Sequence, residues 1–180
     1  MMLSFNVAGL LKEATGATRH HELSGNLFDI DAHNAGPVAV TGEAWLTKVP
    51  RGIMVQATVH LRLTEICTRC LELSTHEVEM LIEEEYVPSI DVQTGLPLSL
   101  EDNDEPELLI DAHHILDLTE VLRQYAIMEG TSRWLCSADC KGLCPICGAN
   151  LNTEPCTCQR PSGDPRLAVL AQLLHQDESR

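Results

Sequence analysis

Eight cysteines in four close pairs constrain this chain more than anything else in it: Cys67/Cys70, Cys136/Cys140, Cys144/Cys147 and Cys156/Cys158. Two of the pairs are CxxC turns, with Thr68–Arg69 and Pro145–Ile146 as their inserts. A turn of that length offers two thiolates to one tetrahedral ion without strain, so four pairs can furnish two four-thiolate sites. Gly148 follows the second ligand of its turn, where backbone amides commonly swing inward and donate to the sulfurs. The expected cofactor is therefore zinc, two ions held by all eight thiolates. Four thiolates also suit an iron–sulfur cluster, and the spacing does not separate the two.

Two other uses of cysteine compete with metal binding: disulfide bonds and redox exchange. No apolar run approaches the roughly 18 residues that span a bilayer. The N-terminal stretch has no base before Lys12 and no small-residue cleavage site, so it does not read as a signal peptide. The expected location is the cytoplasm, a reducing compartment in which structural disulfides rarely persist. A thioredoxin-like CxxC opens a helix in a βαβ unit. Here Cys67 follows a strand of antiparallel type, and the other CxxC lies among four more cysteines. A cysteine-based redox or metal-sensing protein is the alternative reading.

Two groupings of the ligands are open. Cys144, Cys147, Cys156 and Cys158 span fifteen residues and could close a site by themselves. Cys136/Cys140 would then share an ion with Cys67/Cys70. The rival arrangement joins Cys67/Cys70 to Cys144/Cys147, as in a zinc ribbon. Loop-closure entropy favours the first, because the short segment has less to lose on closing.

Around the cysteines the chain reads as an α+β fold, mainly an antiparallel β-sheet with a few short helices and a C-terminal cysteine-rich zinc module. Met2–Val7 reads as a short strand, Leu10 and Leu11 as a helical turn, and His20–Leu23 as another strand. Val38, Val40, Ala44 and Leu46 share one face of a further strand, and Pro50–Arg51–Gly52 turns the chain. The clearest element follows. Ile53, Val55, Ala57, Val59, Leu61 and Leu63 alternate with polar neighbours, the period of a half-buried strand that leads straight into Cys67. Val78, Met80 and Ile82 alternate with Glu77, Glu79 and Glu83, so the chain returns as a paired strand and the Cys67/Cys70 knuckle caps the hairpin. A loop covers 88–107, and Leu108–Ile110 forms an edge strand. Asp117 reads as a helix N-cap with Glu120 as its capping-box partner. Leu118, Val121, Leu122 and Tyr125 follow at helical spacing, as far as Gly130. The expected organisation is a β-rich core over 1–130 carrying the acidic loop 88–107, a zinc module over 131–160 packed on the 67–70 knuckle, and a linker and helix over 161–180. In that last stretch Asp164 and Pro165 open the helix.

Charge narrows the function. The formal net charge is −15, and residues 67–130 set sixteen acids against only Arg69 and Arg123. Such a surface repels phosphate backbones and attracts basic proteins, although a solvated face serves solubility equally well. Binding of single-stranded RNA draws on aromatic platforms and a basic groove, and this chain has six aromatics. Its one local basic set near the cysteines is Arg69, Arg133, Lys141 and Arg160, a candidate contact for RNA or a partner. The eight histidines show no HExxH or other ligand spacing. Four thiolates leave no open position on an ion. No catalytic residue is assigned, and the chain is expected not to be an enzyme.

The run Cys67–Thr68–Arg69–Cys70–Leu71, with the long string from Cys136 through Cys144–Pro145–Ile146–Cys147–Gly148–Ala149–Asn150–Leu151–Asn152, resembles the YceD family. Leu10–Leu11–Lys12–Glu13 and Pro165–Arg166–Leu167–Ala168–Val169–Leu170 also fit, so the resemblance covers nearly the whole chain. It implies a role in large-subunit (23S) ribosomal RNA accumulation or large-subunit assembly. It further implies a ribosomal protein or assembly factor as partner and leaves direct ribosomal RNA contact open; neither a membrane nor a small-molecule substrate is expected. It carries no catalytic activity with it.

Overall fold

The computed structural model describes residues 3–99, 105–130 and 134–158. The centre of the acidic loop, Arg133, Arg160 and the expected helix beyond Asp164 lie outside them. The chain forms two compact units: Met1–Cys67 with Glu72–Cys136, and Thr68–Leu71 with Ser137–Arg180.

In the first unit the chain runs β1 (Ser4–Asn6), α1 (Ala8–Leu11), β2 (Thr18–Leu27), β3 (Val38–Lys48), β4 (Ile53–Ile66) and β5 (Leu73–Pro88). A 3-10 turn at Pro106–Leu108 leads to β6 (Leu109–Ile110), β7 (Ile115–Asp117) and α2 (Thr119–Gly130). Strands β2, β3, β4 and β5 are joined antiparallel in that order, and β6 completes a five-stranded sheet. The sheet is mixed rather than purely antiparallel. Strand β6 lies parallel to the end of β5, with Val87 opposite Leu109 and Pro88 opposite Ile110, because the chain crosses between them through a long connection instead of a hairpin. Strands β1 and β7 form a separate antiparallel pair.

Strand β4 fixes the orientation of the sheet. Ile53, Val55, Val59 and Leu63 are fully buried, while Gln56, His60 and Arg62 between them are exposed. The buried row joins Leu10, Phe5, Leu116 and Leu122 in one apolar core. Each such side chain contributes about 1.5–3 kcal/mol by leaving water, so shifting the register by one residue would forfeit the whole row.

At the head of α2 the expected capping box is not formed. Asp117 lies one residue farther from the helix, where its Oδ1 accepts the Thr119 amide at 2.9 Å. Glu120 turns along the helix to Arg123, with contacts of 2.6 and 2.9 Å, a charge-assisted pairing that outcompetes a return to the backbone. Among the helices described here, none is long and apolar enough to cross a membrane.

Candidate metal centres

The β4–β5 hairpin carries the first knuckle at its tip. Ile66 and Leu73 are the last paired residues, and the Cys67 amide donates to the Glu72 carbonyl at 2.9 Å. Leu71 closes the turn at φ 62°, the left-handed region in which a residue with a Cβ is uncommon. This turn brings Cys67 and Cys70 to one side, and the Sγ atoms of Cys67, Cys70, Cys136 and Cys140 all lie within 4.8 Å of one another. Cys67, Cys70 and Cys140 are buried, and Cys136 is exposed.

The second unit builds its own tetrad. Cys144, Cys147, Cys156 and Cys158 likewise lie within 4.8 Å of one another. The Sγ atoms of Cys147 and Cys156 are 3.7 Å apart, and those of Cys156 and Cys144 are 3.4 Å apart. A tetrahedral zinc–thiolate site with bonds of about 2.3 Å sets its sulfurs about 3.8 Å apart, so the donors fit the ion. The thiols group as these two sets, not as Cys67/Cys70 with Cys144/Cys147.

Local backbone explains the second set. The Gly148 amide donates to the Cys144 carbonyl at 2.9 Å, and the Cys144 amide to the Ala149 carbonyl at 2.8 Å, which folds the CxxC turn back on itself. Gly148 takes φ +75° in that turn. The Ile146 amide points at the Cys144 sulfur (3.4 Å), and the Cys158 amide at the Cys156 sulfur (3.4 Å). Amide donation from Cys147 and Ile146 lowers the Cys144 thiol to about 6, favouring one thiolate. Hydrogen bonding to the Cys156 and Cys147 thiols holds Cys158 protonated, up to about 12. One anion is tolerable in so small a volume, whereas four need a cation among them.

The basic set is only partly a surface. The Arg69 guanidinium donates to the Cys140 carbonyl at 3.0 Å, and its own carbonyl accepts the Leu143 amide at 3.1 Å, so Arg69 braces the knuckle. Lys141 is exposed. Arg133 and Arg160 lie outside the described residues.

Asn152 is the residue that spacing did not single out as a site. Its Nδ2 donates to the Cys140 sulfur at 3.3 Å, and its Oδ1 accepts the Lys141 amide at 2.8 Å. The visible signal is the Asn150–Leu151–Asn152 run, in which Asn150 Oδ1 accepts from both the Asn152 amide and its side chain.

Among curated proteins, the chain is 30% identical over 128 residues to an uncharacterized protein of Mycobacterium tuberculosis, covering 70% of this chain and 58% of that protein. It is 34% identical over 65 residues to the chloroplastic large ribosomal RNA subunit accumulation protein YCED homolog 1 of Arabidopsis thaliana, covering 36% of this chain and 20% of that one. The homolog of the same description in Zea mays is 44% identical over 45 residues, covering 24% of this chain and 15% of that protein. The chain thus spans less than two thirds of the length of these relatives. No solved structure matches it. Residues 55–174 match the family model described as large ribosomal RNA subunit accumulation protein YceD, and the chain belongs to that family.

Proposed function

We propose that this chain is a non-enzymatic factor in large ribosomal subunit biogenesis that supports accumulation or processing of 23S ribosomal RNA. The family match carries this reading, and the descriptions of the plant relatives agree with it. The factor works in the cytoplasm by binding a ribosomal protein or another assembly factor. Its acidic middle favours a basic protein partner and disfavours a phosphate backbone. Two zinc ions, each held by four thiolates, are structural: a filled tetrahedron leaves no position for water or substrate, so the metal fixes geometry and performs no chemistry. The Arg69, Arg133, Lys141 and Arg160 set is the place to look for any direct RNA contact.

The test is affinity purification of the full chain from cells, first intact and then with Cys67 and Cys70 replaced by serine. Large-subunit precursors recovered only with the intact chain support the reading. Absence of every ribosomal component from both overturns it.

A further inference from the structure

Strand β5 has an open edge. It pairs with β4 from Leu73 through Tyr86, and among the described residues its other side meets a strand only at Val87 and Pro88. Edges of that length are usually blunted by charged side chains, lysine above all, by proline or by a bulge. The acids along this one, Glu77, Glu79, Glu83, Glu84 and Glu85, turn away an acidic strand but not a basic one. Residues 73–86 contain no lysine and no proline, and their pairing with β4 runs one to one without a bulge. The backbone groups on that side form a template for another strand.

The side chains along the edge say which strand. Val78, Met80 and Ile82 point into the core, and Glu77, Glu79, Leu81 and Glu83 stand on the opposite, exposed face. Leu81 is 70% exposed at the centre of that row. Across β4, Glu77 faces Arg62 and Glu79 faces His60. An incoming strand would therefore meet acid, acid, leucine, acid at alternate positions. A second copy pairing antiparallel about Leu81 would set Glu79 against Glu83, placing like charges opposite each other. RNA is repelled by the same row.

We infer that the β5 edge binds a lysine- or arginine-rich extended segment of a partner protein by strand addition, with basic side chains opposite Glu77, Glu79 and Glu83 and an apolar one opposite Leu81. This rests on the partner-binding role proposed above and names its surface.

The probe is a capped nine-residue peptide of alternating threonine, with lysines at the three acid-facing positions and valine at the leucine-facing one. Two further peptides carry N-methyl groups on one or the other alternate set of amides. With the full zinc-loaded chain, the parent peptide is expected to slow amide exchange within 77–83. One N-methylated peptide should lose binding, because strand addition uses only one set of amides, while the other should bind like the parent. Glu79→Lys with Glu83→Lys, both exposed positions, should weaken the parent at least tenfold. Equal binding of both N-methylated peptides, or protection elsewhere in the chain, overturns the inference. So does concentration-dependent dimerisation through this edge. In cells, a Glu79→Lys/Glu83→Lys chain that still supports large-subunit RNA accumulation sinks the edge as the partner site and leaves the proposed function standing.

Discussion

The side-chain amide of Asn152 donates to the sulfur of Cys140 at 3.3 Å, while its oxygen accepts the amide of Lys141, the residue next in sequence. One side chain thus orients a ligand and holds the backbone beside it. Groups that donate to a metal-bound thiolate draw off part of its charge and fix its direction. Asn152→Ala is expected to weaken zinc at the Cys67/Cys70/Cys136/Cys140 set by about 10- to 100-fold. Asn152→Asp should be worse, since it places a carboxylate beside a thiolate. Competition with a chromogenic chelator reads both. Unchanged release from either variant would reduce Asn152 to a loop residue.

The two tetrads share no ligand, so their metals should be lost separately. Cys144→Ser is expected to drop zinc content from two equivalents to one while leaving Cys67 and Cys70 protected from alkylation. Cys67→Ser should give the mirror result. Metal analysis with mapped alkylation decides the matter, and exposure of Cys67 and Cys70 in the Cys144→Ser protein would restore the ribbon-like grouping.

Much of this was legible in the sequence where a pattern repeats, and obscure where a single distant contact decides. The alternation from Ile53 to Leu63 marks β4 because every second residue enters the core. The strand runs on to Cys67 as expected, but through an inward-facing glutamate, Glu65, whose burial the apolar alternation does not explain. Burial, and then the Asp31 carboxylate beside it, raise the Glu65 carboxyl above its ordinary value and favour its neutral form. Asn34 ties the same stretch down, its Oδ1 accepting the Thr64 amide at 2.8 Å. Neither Asp31 nor Asn34 is near in sequence. Strand β2 likewise runs past His20–Leu23 through Ser24, Gly25 and Asn26, poor strand formers held by their pairing with β3. Strand β6 lies where an edge strand is expected, at the end of the sheet, whereas β7, three residues long, is too short to carry a period. The cysteines announced a metal site by spacing alone, whereas Asn152 acts through a contact that spacing cannot show.

Helix α2 is tied to β5 by a hydrogen bond from the Tyr125 hydroxyl to Glu84 Oε1, 2.8 Å long. Burial, and then the Glu84 carboxylate, raise the phenol from 10.0 to about 12. The neutral phenol is the form the fold favours. Its contribution is therefore complete below the unfolded value near 10 and fades as pH climbs toward 12. Tyr125→Phe should cost about 1.5–3 kcal/mol at neutral pH, the worth of a hydrogen bond to a charged acceptor. It should also flatten the loss of stability above the unfolded phenol value. Urea midpoints for both proteins across that range test the sign. Parallel curves would mean that Tyr125 ionises in the fold as it does in the unfolded chain.

Two glycines in the second unit adopt left-handed backbone, and their surroundings separate two costs. Gly142 has φ +72°, and a Cβ placed there would lie 3.0 Å from the Arg69 carbonyl oxygen, the atom that accepts the Leu143 amide. Gly148 has φ +75°, with nothing within 4 Å of an added Cβ. Gly148→Ala should therefore cost only the backbone penalty, about 1–2 kcal/mol. Gly142→Ala adds a clash that forces the Arg69 carbonyl away, and so loosens the turn that presents Cys70 and Cys140. The two alanine variants should be matched in backbone strain yet differ in zinc retention, with Gly142→Ala releasing the ion of the Cys67/Cys70/Cys136/Cys140 set faster under chelator. Equal release from both would mean that the Arg69 carbonyl moves aside at no cost to the site.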